Sequence, residues 1–213
     1  MKRDSGRYRR DSMIRSLKGK GIRDARVLAA MQRIPRHIFV PGTLKSQAYS
    51  EHALPIGAEQ TISQPYIVAR TTEWLQVGSQ DSVLEIGTGS GYHTSVLALL
   101  ARRVFSLERI PELARGAIDR IREMGFDNVK IQIFDGTFGW SDVGPFDRIL
   151  VTAGAPKTPK PLLDQLKVGG RLVLPEGDRD RQKLILYERT PEALIRTEGE
   201  SVAFVPLIGR HGW

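Results

Sequence analysis

The ten residues from Val83 to Tyr92, Val-Leu-Glu-Ile-Gly-Thr-Gly-Ser-Gly-Tyr, constrain the fold more than any other stretch of this 213-residue chain. An apolar strand that ends in alternating glycines and passes into a helix is where a doubly wound α/β domain brings its backbone against a nucleotide-like ligand. Dinucleotide folds place a third glycine three residues after the second, so that a helix N-terminus reaches a pyrophosphate. Here the glycines are Gly87, Gly89 and Gly91, Tyr92 stands where that late glycine would fall, and Glu85 lies inside the strand. A carboxylate there would repel a pyrophosphate and would suit a cationic ligand or an amino group.

A Glu-x-Gly-x-Gly-x-Gly run at a strand end resembles the signature of S-adenosylmethionine methyltransferases, whose cofactor carries a sulfonium and an ammonium and no phosphate. The remaining pattern is spaced to match. Strands are expected at 82–86, 104–107, 129–134, 148–151 and 171–174, with helices at 93–101, 111–124 and 161–166 between them. Such alternation implies right-handed crossovers and a parallel sheet. Apolar runs at 183–188 and 193–205, parted by a short polar turn, predict a hairpin that closes the sheet with an antiparallel strand. Upstream, Val27, Leu28, Met31 and Ile34 fall at helical spacing before Pro35. Residues 37–64 read as a long ordered loop rich in Pro, Gly and small polar residues, a kind that is often functional. A helix follows at 65–77, with Ser63 as its cap and Pro65 in its first turn.

The fold class expected is therefore α/β and Rossmann-like, a doubly wound, mostly parallel sheet with a C-terminal antiparallel hairpin and an N-terminal helical extension. Residues 1–23 form a basic extension expected to be partly mobile, and residues 24–213 form a single methyltransferase domain. Within it, 24–77 supply helices and a substrate loop and 78–213 the core.

The net charge of +8 is concentrated at one end: residues 1–26 hold ten Lys or Arg against three Asp, a net of +7. That distribution describes a tail and a first helix and not a nucleic-acid groove, so no specific nucleic-acid partner is expected. The chain has no cysteine, which excludes disulfides, thiolate metal sites and a cysteine nucleophile. No stretch approaches the ~18 uninterrupted apolar residues of a membrane span, and the basic N-terminus lacks the apolar run of a signal peptide. A cytoplasmic protein without a membrane partner is the expectation.

Glu108 ends the second core strand, where an acid in this fold accepts hydrogen bonds from both ribose hydroxyls. Asp135 and Gly136 end the third, where an acceptor serves an adenine amino group and a glycine gives the ring room. Glu85 acts either through its carboxylate or by fixing the loop backbone. His93 reads as a packing or capping residue, and His37, His52 and His211 show no metal-ligand spacing, so no metal is expected. A methyl acceptor that needs little help from a base fits this inventory. A carboxylate, with its pKa near ~4, is ionised at neutral pH and ready for in-line attack. Aligning it calls for hydroxyl and backbone N–H donors, which directs attention to Gln60-Thr61-Ile62-Ser63-Gln64-Pro65. The same hexapeptide reads equally well as a helix cap in which the Ser63 side chain satisfies a free N–H.

From residue 24 to the end, the chain resembles the protein-L-isoaspartate (D-aspartate) O-methyltransferase family. The resemblance is carried by Leu54-Pro55-Ile56-Gly57, by the hexapeptide, by Val83 to Tyr92, by Asp135-Gly136-Thr137, and by Val151-Thr152-Ala153-Gly154-Ala155-Pro156. It continues through Asp164-Gln165-Leu166-Lys167-Val168-Gly169-Gly170-Arg171 and Phe204-Val205-Pro206-Leu207. It implies that Ser63 is the active-site serine and that Thr61, Ile62, Val205, Pro206 and Leu207 bind the peptide. It further implies that Gln60, Glu85, Gly87, Thr88, Gly89, Glu108, Arg109, Asp135 and Gly136 hold S-adenosylmethionine.

The implied reaction is methyl esterification of the free α-carboxylate of an L-isoaspartyl residue, with D-aspartyl as a further substrate, in damaged peptides and proteins. The ester recloses to a succinimide more readily than the acid does, and hydrolysis of that ring returns some normal aspartate. S-Adenosyl-L-homocysteine is the second product. Four positions depart from the family pattern: Ala58-Glu59 where His-Gly is frequent, Phe134 where Gly is frequent, and His93 where Gln is frequent. Two other readings stay open on the sequence: a methyltransferase of RNA or a small molecule, suggested by the basic N-terminus, and a cofactor-binding scaffold without turnover.

Overall fold

Residues 5–213 are described by the computed structural model. Two helices open it, α1 (Ser5–Gly19) and α2 (Ala25–Arg33). Asp24 caps α2 by accepting from the Arg26 N–H, and Val27, Leu28 and Met31 turn inward. Although α1 falls within the segment read as a basic extension, its Met13, Ile14 and Leu17 are buried in the same cluster as α2. Met13 and Ile14 lie one turn before Leu17, so these three side chains give an otherwise charged helix an apolar stripe.

Residues 37–64 are more regular than the sequence suggested. Short 3-10 turns at Arg36–Phe39 and Gly42–Gln47 lead into an antiparallel hairpin of β1 (Leu54–Gly57) and β2 (Gln60–Ile62). Pro55 and Gly57 depress the strand signal, while Leu54 and Ile62, paired across the hairpin, are both buried. Its turn residues Ala58 and Glu59 are left-handed, with φ of 48° and 58°.

Helix α3 (Pro65–Leu75) follows. The expectation that Ser63 caps it is corrected: Gln64 occupies the cap position, no side chain bonds the first turn, and Pro65 has no N–H that needs an acceptor. The helix stops before residue 77 because Gln76 turns left-handed at φ 51°.

The core elements are β3 (Ser82–Ile86), α4 (Tyr92–Ala98), β4 (Arg103–Glu108), α5 (Pro111–Glu123) and β5 (Val129–Ile133). They continue with β6 (Phe146–Val151), α6 (Lys160–Asp164), β7 (Leu166–Gly177), β8 (Gln182–Arg189) and β9 (Leu194–Val202). The longest strand, β7, starts earlier than the apolar run at 171–174 because Gly169 and Gly170 disguise its first residues. Sheet order is β5-β4-β3-β6-β7-β8-β9, parallel through β7 and antiparallel from β7 to β9.

Strand order reverses between β3 and β6, and a doubly wound sheet opens its crevice at the C-terminal ends of strands at such a point. After β9 the chain returns there. Gly154, beyond β6, donates to Val205 O at 2.8 Å, and Leu207 donates to Gly154 O at 2.7 Å. Residues 205–207 thus run beside the crevice instead of extending the last strand. Among the described residues no helix is long and apolar enough to cross a membrane.

Candidate active site

Gly87, Gly89 and Gly91 all have positive φ, at 96°, 53° and 86°, so the loop after β3 follows a path that L side chains resist. Gly87 is excluded from change twice over, because a Cβ there would lie 2.3 Å from the Thr152 hydroxyl. That hydroxyl donates toward the carbonyls of Ile86 and Gly87, at 3.0 and 2.7 Å, and ties the end of β6 to the loop.

Over the loop lies a cavity of about 310 Å³. Its floor includes Gly87, Thr88, Gly89 and Gly136, its far side Glu108 and Arg109, and its roof the hairpin residues Gln60 to Ser63 with Val205, Pro206 and Leu207. The sequence-selected residues therefore converge on one site, with two exceptions.

Glu85 is the first. Alternation along β3 turns it to the same face as Val83, opposite Leu84 and Ile86, and it does not line the cavity. The carboxylate is fully buried, and its Oε2 accepts from the hydroxyls of Thr94 and Ser106 at 2.5 and 2.7 Å. Burial pushes its pKa up to about 7 against the pull of those two donors. Of the two roles open on the sequence, this geometry supports the bracing of the loop.

Asp135 is the second. It caps the short turn Gly136–Phe138, with Oδ1 accepting from the Thr137 N–H and hydroxyl at 2.9 and 2.8 Å. Oδ2 accepts from the Arg210 N–H at 2.8 Å. Burial raises its pKa, but the Arg210 and Thr137 donors outweigh that effect and hold it below the usual carboxylate range. Asp135 thus anchors the C-terminal segment instead of facing the cavity. Gly136 does face it, and a Cβ there would meet Ile86 at 2.3 Å.

Glu108 is 6% exposed, with Oε2 accepting from the Gly89 N–H and Oε1 from the Ile110 N–H, both at 2.9 Å. Each oxygen retains capacity for another donor. The ionisable side chains of the cavity wall are Glu59, Tyr92, His93, Glu108 and Arg109, and burial pushes Tyr92 up to about 12, which keeps it neutral. Burial, with the charge of Arg36 adding to it, pushes His93 down to about 3, which leaves the wall with a net charge of −1 at neutral pH. A phosphate-free, cationic nucleoside fits such a wall, and a pyrophosphate does not.

The Ser63 side chain makes no capping bond and lines this cavity. It also lines a neighbouring cleft of about 940 Å³ bounded by 51–53, 180–183 and 201–205. Thr61, Ser63, Thr152 and Val205 belong to both walls, so the two spaces meet at the hexapeptide. Sequence reasoning missed Thr152 and Arg36. The first stands in the quoted Val-Thr-Ala-Gly-Ala-Pro segment at a strand end; the second is an arginine that, with His37, interrupts an apolar stretch, Ile34-Pro35-Arg36-His37-Ile38-Phe39-Val40. Its Nη2 donates to the Ser63 carbonyl at 2.7 Å. His93 is confirmed as a packed residue, its Nε2 lying 2.8 Å from the Thr72 hydroxyl.

A family model described as protein-L-isoaspartate(D-aspartate) O-methyltransferase matches residues 8–212. Protein-L-isoaspartate O-methyltransferase 1 of Syntrophobacter fumaroxidans is 55% identical over 205 residues, covering 96% of each chain. The protein-L-isoaspartate O-methyltransferase of Magnetococcus marinus is 51% identical, over 98% of this chain and 92% of its own. Among solved structures, a protein-L-isoaspartate O-methyltransferase aligns with TM-score 0.86 and 28% identity, covering 95% of this chain and 67% of the other. A putative Plasmodium falciparum protein-L-isoaspartate O-methyltransferase, solved with S-adenosyl-L-homocysteine, aligns with TM-score 0.81 and 25% identity over 93% and 98%.

Proposed function

The chain belongs to the protein-L-isoaspartate (D-aspartate) O-methyltransferase family, and from that membership we propose how its residues divide the work of methylating isoaspartyl residues. The enzyme uses S-adenosyl-L-methionine and begins the repair of damaged proteins. The observation that carries the assignment of roles is the meeting of two spaces at Ser63.

The smaller cavity takes the cofactor. Glu108 receives the ribose hydroxyls on oxygens already oriented by Gly89 and Ile110, Gly136 leaves room for the adenine, and Gly87, Thr88 and Gly89 bring backbone to the remainder. Gln60 and Arg109 close the rim. Glu85 and Asp135 support this surface from behind, through Thr94 and Ser106 in one case and Arg210 in the other. Bound S-adenosylmethionine supplies an electrophilic methyl group on its sulfonium.

The larger cleft takes the peptide. Ser63, with its hydroxyl free of capping duty, donates to the acceptor carboxylate and orients one oxygen toward the cofactor cavity. Thr61 stands beside it, Val205 belongs to both walls, and Ile62, Pro206 and Leu207 reach the acceptor from the cofactor side, where the two spaces meet. No general base is required, because the acceptor is already ionised. His93, held near 3 by burial, is poorly matched to that role at neutral pH. At the junction of the two spaces the apolar side chains of Ile62, Val205 and Leu207 remove water from the carboxylate, which exposes its lone pair to the in-line approach.

D-Aspartyl residues, which present their carboxylate from a similarly displaced backbone, belong to the same reading. So does the absence of a specific nucleic-acid partner: in the basic N-terminal segment Lys20 is engaged by Glu51, Arg26 by Asp24 and Arg9 by the Ser46 carbonyl. We read residues 24–213 as one methyltransferase domain carrying residues 1–23 as an extension. The reducing cytoplasm suits a chain of this length without cysteine.

Mass spectrometry after incubation with S-adenosylmethionine tests the reading. One methyl group on the isoaspartyl residue of a synthetic peptide, and none on its aspartyl isomer, is expected; methylation at another group, or of both isomers alike, overturns it.

A further inference from the structure

Behind the wall that carries Ser63 lies a guanidinium that the scheme above leaves unused. Arg36 is fully buried. Its Nε donates to the Ala48 carbonyl and its Nη2 to the Ser63 carbonyl, each at 2.7 Å. The guanidinium lies over the Tyr92 ring, 4.7 Å from the centroid. The 46–51 loop, the hexapeptide and the helix that follows the glycine loop all meet on this one side chain.

Among the described residues no carboxylate forms an ion pair with it. Its Nη1 is buried without a hydrogen-bond partner. Burial lowers the Arg36 pKa, with Tyr92 and Tyr49 as the opposing influences, yet a guanidinium does not lose its proton in a protein. A buried charge without a counter-ion is costly. Neither of the other buried acids pairs with it: Glu108 serves Gly89 and Ile110, and Glu85 accepts from Thr94 and Ser106 on Oε2 while its Oε1 has no hydrogen-bond partner.

We infer that Arg36 is a positioning residue whose missing counter-ion is the acceptor carboxylate itself, held across the Ser63 segment where the two cavities meet. The inference rests on the isoaspartyl reading above. The bond to the Ser63 carbonyl fixes the hexapeptide backbone and with it the direction of the Ser63 hydroxyl. The cation behind that backbone acts through a medium less polarisable than water, where Coulomb attraction is several-fold stronger. Its field reaches the cavity wall, since the same charge adds to the depression of His93. Methylation converts the carboxylate to a neutral ester, so the attraction that draws the substrate in does not retain the product.

The test compares an isoaspartyl peptide with the same peptide bearing an amide in place of its α-carboxylate. Binding of both is measured calorimetrically to the enzyme loaded with S-adenosyl-L-homocysteine, for the wild type, Arg36→Lys and Arg36→Gln. The wild type is expected to prefer the carboxylate roughly tenfold or more. Arg36→Lys retains most of the preference. Arg36→Gln, which keeps an amide donor but no charge, loses it while affinity for S-adenosyl-L-homocysteine is preserved. Preference retained by Arg36→Gln overturns the inference, as does equal loss in both variants accompanied by lost cofactor affinity, which marks a purely structural arginine. Should the variants not fold, salt decides on the wild type. A buried counter-charge leaves the preference intact in high salt, whereas a preference that collapses comes from exposed cations and overturns the inference. Failure of the reaction assignment shows separately, in wild-type methylation of the two matched isomers.

Discussion

The carboxylate of Glu108 accepts a hydrogen bond from the backbone N–H of Gly89 at 2.9 Å. The acid that ends β4 therefore shapes the glycine loop that ends β3, and the two halves of the cofactor cavity are built as one unit.

Glu108→Ala should accordingly have two effects. Loss of charge-assisted bonds to a ribose, worth about 1.5–3 kcal/mol each, lowers affinity for S-adenosyl-L-homocysteine by ten- to a hundredfold or more. The orphaned N–H groups of Gly89 and Ile110 cost about 1–3 kcal/mol of stability. Calorimetry and denaturant unfolding read these separately, and unchanged cofactor affinity removes Glu108 from the site.

Ser63→Ala should behave differently. Its side chain caps no helix, so stability should move by less than about 0.5 kcal/mol. Loss of one hydrogen bond to a charged acceptor lowers turnover about ten- to a hundredfold. A drop of about 1 kcal/mol in stability with turnover intact would restore the capping role.

Glu85→Gln should alter the pH dependence of stability. The folded pKa of about 7 lies above the usual value of 4.5, so the native state binds the extra proton between those values. The contribution is fully present at lower pH and is lost as pH rises through 7. Replacement by Gln removes that loss, and the variant should gain on the wild type by up to about 3 kcal/mol between pH 4.5 and pH 8. His93 has the opposite sign. Its folded value near 3 lies below 6.5, so its contribution is present above pH 6.5 and declines as pH falls toward 3. Thermal unfolding across pH checks both; a constant difference between Glu85→Gln and wild type contradicts a buried, proton-binding Glu85.

Leu17→Ala tests whether α1 is part of the folded body. Leu17 is 2% exposed within the cluster that includes α2, so truncation should cost about 2–5 kcal/mol. A solvated extension would lose almost nothing, and an unchanged unfolding midpoint would decide for it.

What was legible in the sequence was local. The glycine loop, the end-of-strand acid and the hexapeptide each announce themselves within a few residues, and all three line the cavity. What was hidden depends on neighbours distant along the chain. Asp135 reads as a cavity residue until its Oδ2 is seen to hold the backbone of Arg210, 75 residues later, outside the cavity wall. Glu85 is fixed by strand alternation and by Ser106, 21 residues on. The hairpin at Leu54 to Ile62 is too short, and too rich in Pro and Gly, to signal alternation, although it forms the cavity roof. Three apolar residues among the charges of α1 carry a docking face that composition alone obscured.

The most direct measurement is the initial rate of methyl transfer from labelled S-adenosylmethionine to an isoaspartyl peptide and to its aspartyl isomer, with the label recovered as methanol after mild base. The account predicts rapid, base-labile labelling of the isoaspartyl peptide alone. Equal rates for the two isomers, or label that resists base, would contradict it.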